Sequence, residues 1–133
     1  MKILICGSRK FKDYDKLRGV LHELVPDLAE VSEIIEGGAS GADGLGRRFG
    51  KENGIPVATY YADWINQSRA AGIKRNIRMI TEGKPDLVVA FPAADSKGTR
   101  HMIDLAQKAK VRLHVVEVDN DMPNGYNWPK DRE

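Results

Sequence analysis

A parallel β-sheet covered by helices on both faces is the architecture this sequence predicts, and three observations carry it. Short runs rich in β-branched and aliphatic residues alternate along the whole chain with segments bearing helical apolar stripes. The first and fourth runs, KILIC and DLVVAF, are apolar without alternation, as strands buried on both faces are. Glycines stand where strands pass into helices, at Gly7, at Gly37-Gly38 and at Gly98.

Residues 1–6 form the first strand, bounded by Gly7. Asp13 or Asp15 can cap a first helix carrying Leu17, Val20, Leu21 and Leu24, which ends near Pro26. Residues 31–36 give the second strand and 42–53 the second helix, stopped by Asn53-Gly54. PVATY, residues 56–60, is the third strand. Residues 61–71 (YADWINQSRAA) form an irregular link, longer than most, and links of that kind often carry function. A helix from about Arg69 to Glu82 follows, with Ile73, Ile77 and Ile80 on its apolar face. The fourth strand is 86–91, the next helix 98–109 and the fifth strand 112–118. The sequence divides into one domain, 1–118, and a polar tail, 119–133, whose Tyr126 and Trp128 either pack on the domain or a neighbouring subunit or fray.

Right-handed crossovers turn this alternation into a doubly wound, Rossmann-like α/β sheet of five strands in the order 3-2-1-4-5. Its switch point lies between strands 1 and 4, and a ligand is expected in the crevice at their carboxyl ends.

With 41% hydrophobic and 30% charged residues, the composition is that of a soluble globular protein. The lone Cys6 rules out an internal disulfide and suits a reducing compartment, and a small buried hydrophobe is the simpler account of it than a catalytic thiol. No apolar stretch reaches membrane length, and the start lacks a signal-peptide layout, so a cytoplasmic location is expected. No membrane partner is expected either. A net charge of +2 is too small to argue for nucleic acid by itself. Basic residues do gather near strand ends, at Arg9, Lys10 and Lys12, at Arg69, Lys74, Arg75 and Arg78, and at Lys97 and Arg100, which favours an anion there. Solvated helix faces would give the same distribution.

Three loops meet at the expected crevice. Gly7, Ser8 and Arg9 offer backbone, a hydroxyl and a guanidinium suited to phosphate. The stretch IIEGGASGAD brings Gly37, Gly38, Ser40, Gly41 and Asp43 into a glycine-rich turn at a helix start, either a cradle of N–H donors or a tight turn that binds nothing. It matches neither G-x-G-x-x-G nor a P-loop. Phe91 and Pro92 lead to Lys97, Gly98 and Thr99 at another helix start, where Thr99 is an anion ligand or a plain cap. Arg75, followed by Asn76, either reaches the crevice or is a solvated charge opposite the isoleucine stripe. Trp64 either covers a base or packs in the core. His22, His101 and His114 share no metal-ligand spacing with acids or Cys6, and no metal or cofactor is expected.

Taken together, CGSRKF, IIEGGASGAD, YADW, AGIKRNIRM, DLVVAFP and KGT resemble the SLOG superfamily, nearest its small YspA-like group, over residues 2–109. The resemblance implies a Rossmann-like fold and a nucleotide-derived ligand, such as an ADP-ribose relative, at the strand ends. It is similar also to the cytokinin-activating LOG phosphoribohydrolases and to the DNA-processing protein of natural transformation. Arg75 and Met79 keep the LOG spacing of Arg to Met, but the P-G-G-x-G-T-x-x-E loop does not match. It reads here from Pro92 to Thr99, is longer by two residues, and places Met102 at the position of the catalytic Glu. Hydrolysing an N-glycosidic bond calls for a carboxylate near the anomeric carbon, which methionine cannot supply. Asp43, Asp63 and Asp95 are the acids that could stand in, and Met102 is expected in the core with Leu105 and Ala106. The expectation is therefore a binding domain that senses or sequesters its ligand and answers through a partner or as a homo-oligomer. A nucleotide N-glycosidase and a single-stranded DNA-binding protein are the alternatives.

Overall fold

The computed structural model describes residues 1–119. The tail expected at 119–133, with Tyr126 and Trp128, lies outside the described residues but for Asp119. Strands β1 (Lys2–Gly7), β2 (Glu33–Glu36), β3 (Val57–Thr59), β4 (Leu87–Phe91) and β5 (Arg112–Val115) form one parallel sheet in the order β3-β2-β1-β4-β5, as the alternation predicts. The helices are α1 (Tyr14–Leu24), α2 (Ala42–Glu52), α3 (Trp64–Gln67), α4 (Ala71–Thr81) and α5 (Lys97–Lys108).

Side chains on successive strand residues point to opposite faces, so β1 supplies both cores. Ile3 and Ile5 join Leu17 and Leu21 of α1 and Phe49 of α2 on one face. Leu4 and Cys6 join Met79 of α4 with Met102 and Ala106 of α5 on the other. Met102 is 1% exposed, in the core as expected. β1 lies between β2 and β4, so the chain diverges to either side of it and leaves a crevice between the ends of β1 and β4. Gly7 lets those ends close up: a Cβ there would lie 2.6 Å from the Phe91 carbonyl oxygen.

The long link at 61–71 is more regular than expected. Asp63 caps α3 by accepting the Asn66 N–H, and a 3-10 turn (Ser68–Ala70) runs into α4.

Helix α4 corrects the expected apolar face. Ile73 and Ile77 are exposed, at 50% and 41%, while Ala71, Asn76 and Met79 are buried. Two stripes of helical spacing coexist on this helix, Ile73-Ile77-Ile80 and Ala71-Arg75-Met79. The second turns inward because the first turns of α4 stand at the sheet's rim, where the inner face meets the cleft rather than the core. Among the described residues, no helix is long and apolar enough to cross a membrane.

Candidate functional site

A cleft of about 340 Å³ opens at the strand ends, between β1 and β4. Gly7, Ser8, Arg9, Asp43, Arg75, Asn76, Lys97, Gly98 and Thr99 line it, with the buried Cys6, Met79 and Met102. A second chamber of about 300 Å³ adjoins it, lined by Gly37, Gly38, Ser40, Tyr61, Ala62 and Trp64. Arg9, Ala39 and Arg75 line both. Loops after β1, β2 and β4 thus come to one rim, and Ser8, Ser40 and Thr99 stand on it together.

The glycine turn is built differently from a phosphate cradle. The Gly38 N–H donates to Glu36 Oε1 at 2.7 Å, and the Ala39 N–H donates to Asp43 Oδ2 at 3.2 Å. The Gly37 N–H also bonds Asp43, and the Ala42 N–H donates to the Ser8 carbonyl at 3.0 Å. Internal acceptors therefore hold amides expected to face a ligand, because the turn places two buried carboxylates behind itself. Glu36, fully buried, also takes the Thr59 hydroxyl and the Arg47 guanidinium. Gly41 has φ +74°, and a Cβ there would stand 2.1 Å from the Ser8 carbonyl oxygen, so this glycine serves the close approach of the two loops.

Arg75 turns inward. Its Nη1 donates to the Gly37 carbonyl at 2.5 Å and its Nε to Asn76 Oδ1 at 3.1 Å. Burial lowers its pKa, opposed by the Asp43 charge, and a guanidinium stays protonated through such a shift. Asn76 in turn donates to the Gly98 carbonyl at 3.1 Å and meets His101 Nδ1 at 3.1 Å, tying α4 to α5. Burial, followed by the neighbouring Glu36 charge, raises the Asp43 carboxyl to about 6, against the bonds from Ala39 and Gly37 and the charge of Arg75. Burial pushes the Cys6 thiol up, with Asp43 adding to it, so Cys6 carries no thiolate.

At the start of α5 the N–H groups of Gly98 and Thr99 have no acceptor within the helix. Thr99 is buried against the first chamber, and Lys97 is exposed beside it. In the second chamber the Arg9 guanidinium lies 5.6 Å from the Trp64 ring centre, and Tyr61 packs over Gly38. Trp64 is 51% exposed, so it belongs to the rim and not to the core.

Three residues named from the sequence stand apart from both chambers. Phe91 is buried and stacks on Phe11 at 5.2 Å, Pro92 is buried with its carbonyl accepting from Val118, and Gly41 is packed against the Ser8 and Arg9 backbone. Ser40 lines the second chamber, but its hydroxyl donates to the Arg9 carbonyl at 3.0 Å and so pins the two loops. Sequence reasoning passes over Tyr61, Ala62 and Ser96 in the lining, and over Glu36 behind the turn. Tyr61 carries a signal in its place within YADW, and Glu36 in being an acid at the end of an otherwise apolar strand.

A family model described as "YspA, cpYpsA-related SLOG family" matches residues 1–66. The chain is also 37% identical over 119 residues to "Gene 61 protein" of Mycobacterium phage D29, covering 83% of this chain and 91% of that one. No solved structure matches it significantly. With the sheet order, the glycine turn and these matches in hand, the chain belongs to the SLOG superfamily.

Proposed function

We propose that this domain binds a nucleotide-derived small molecule across the two chambers, for sensing or sequestration. One observation supports the reading: two adjoining cavities share a wall at Arg9, Ala39 and Arg75, and aromatic side chains line only the second. The first suits a phosphate, which Lys97 and the amides of Gly98 and Thr99 attract. The second suits a planar ring, since Trp64 and Tyr61 offer faces at its edge. Arg75 and Arg9, at the shared wall, suit a ligand with charge near its middle, such as an ADP-ribose-like molecule. Superfamily membership supports nucleotide-related chemistry in general.

Thermal-shift screening against nucleotides, dinucleotides and ADP-ribose tests this. A bound ligand raises apparent stability by mass action, so at least one member is expected to raise Tm. Trp64→Ala and Lys97→Ala, both at exposed positions, are each expected to reduce that rise without lowering the Tm of the free protein. An unchanged Tm with every member contradicts the proposal.

A nucleotide N-glycosidase is the second reading, favoured by the buried Asp43 carboxyl in the cleft and opposed by Met102 at the position of the LOG glutamate. Release of free base from nucleoside monophosphates, abolished by Arg75→Ala, would bring it forward. Binding of oligonucleotides that falls steeply with salt would instead favour single-stranded DNA.

A further inference from the structure

We propose that Asp43 is a specificity-determining residue of the cleft, accepting a hydrogen bond from a ligand sugar hydroxyl and leaving the phosphate to the first turn of α5. This inference rests on the nucleotide reading above. Asp43 is 6% exposed, yet it lines the first chamber. The Ala39 and Gly37 N–H groups hold its carboxylate from the turn side. A carboxylate has about four acceptor positions, so acceptor capacity is left for a donor in the cleft. Arg75, a cationic neighbour, donates to the Gly37 carbonyl and to Asn76 Oδ1.

The remaining charge fixes the ligand's polarity. Lys97 and Lys10 line the same chamber, with Asp95 as a second acid, and the first turn of α5 presents N–H groups to it. An anion is drawn to that end. Beside Asp43 it meets a second negative charge, with Glu36 behind the turn adding to it and Arg75 partly offsetting it. A neutral donor gains there what a phosphate loses. Asp43 on the buried side, with Lys97 and the α5 amides in the same chamber, therefore favours molecules that carry both hydroxyls and a phosphate.

Calorimetry with three probes at pH 7.5 tests the assignment: methyl phosphate carries the anion alone, ribose 5-phosphate adds hydroxyls, and adenosine 5′-monophosphate adds the ring. The wild type is expected to bind ribose 5-phosphate about tenfold tighter than methyl phosphate, the worth of one hydrogen bond to a charged group. Asp43→Asn keeps an acceptor for the Gly37 and Ala39 amides. It is expected to bind methyl phosphate several-fold tighter than the wild type and to lose most of the sugar's advantage. A residue that merely braces the turn would move all three affinities by one common factor, and that outcome overturns the proposal. Equal wild-type affinity for methyl phosphate and ribose 5-phosphate overturns it too, whether or not the variant folds. If adenosine 5′-monophosphate binds but the sugar is not discriminated, only Asp43's role falls. If none of the three binds, the nucleotide reading falls with it.

Discussion

Asp43 is the residue at which stability and the recognition proposed for it pull in opposite directions. Burial raises its carboxyl to about 6 from an ordinary value of 3.8, so the folded protein holds this proton more tightly than the unfolded chain does. The sign follows by linkage: Asp43's contribution is fully present below about pH 4 and is lost as pH rises through about 6. The gap between those two values sets an upper limit of about 3 kcal/mol on that loss. Urea unfolding of wild type and Asp43→Asn at pH 4.5 and 7.5 is expected to show the variant gaining on the wild type at the higher pH. A pH-independent difference would mean that Asp43 titrates normally. Glycines make a second contrast at this scale. Gly41 and Gly54 both have positive φ, but only Gly41 has a neighbour where a Cβ would go. Gly54→Ala should cost about 1 kcal/mol, the penalty for the left-handed backbone alone. Gly41→Ala adds a collision with Ser8 and should cost at least about 3 kcal/mol, or prevent folding.

Among the elements, α4 shows what pattern reading does and does not resolve. The helix is legible from its spacing, but its rotation is not. Ile73 and Ile77 form the more apolar stripe, yet they face outward, since the inner side at this height borders a cleft that takes Arg75 and Asn76. Hydrophobic periodicity assumes that the inward face meets a core, and that assumption fails at a sheet's rim. Met79 marks the depth at which core packing resumes. Met79→Ala is accordingly expected to cost about 2–4 kcal/mol, and Ile77→Ala less than about 1 kcal/mol, by chemical denaturation. Equal costs would contradict this rotation. The glycine turn is a parallel case: its glycines are legible, but which acceptor takes each amide depends on Glu36 and Asp43 in three dimensions. The Tyr14 hydroxyl, whose pKa burial and its bond to Glu52 raise to about 12, donates to Glu52 at 2.7 Å and joins α1 to α2.

For the whole molecule, the strand order β3-β2-β1-β4-β5 agrees with what alternation and the apolar runs, read from the sequence, allow under right-handed crossovers. The convergence of three loops at one rim then follows from topology. What topology leaves open is which loop residues face the rim: Ser8, Thr99 and Asp43 do, whereas Phe91 and Pro92 turn into the scaffold. A homo-oligomer is the assembly we propose. Ile65, Ile73 and Ile77 are exposed apolar side chains on α4 and the link before it, the sort of surface that association covers. Native mass spectrometry is expected to show a multimer that Ile65→Asp with Ile77→Asp converts to monomer; a monomeric wild type would contradict it.

The central claim is that separate loops act as one receptor for one ligand. Amide and indole NMR titration with adenosine 5′-monophosphate or ADP-ribose tests it directly, following the Gly98 and Thr99 N–H signals beside that of the Trp64 indole. All three signals are expected to shift together with one Kd. Independent shifts with different affinities, or shifts at neither chamber for either ligand, would contradict it.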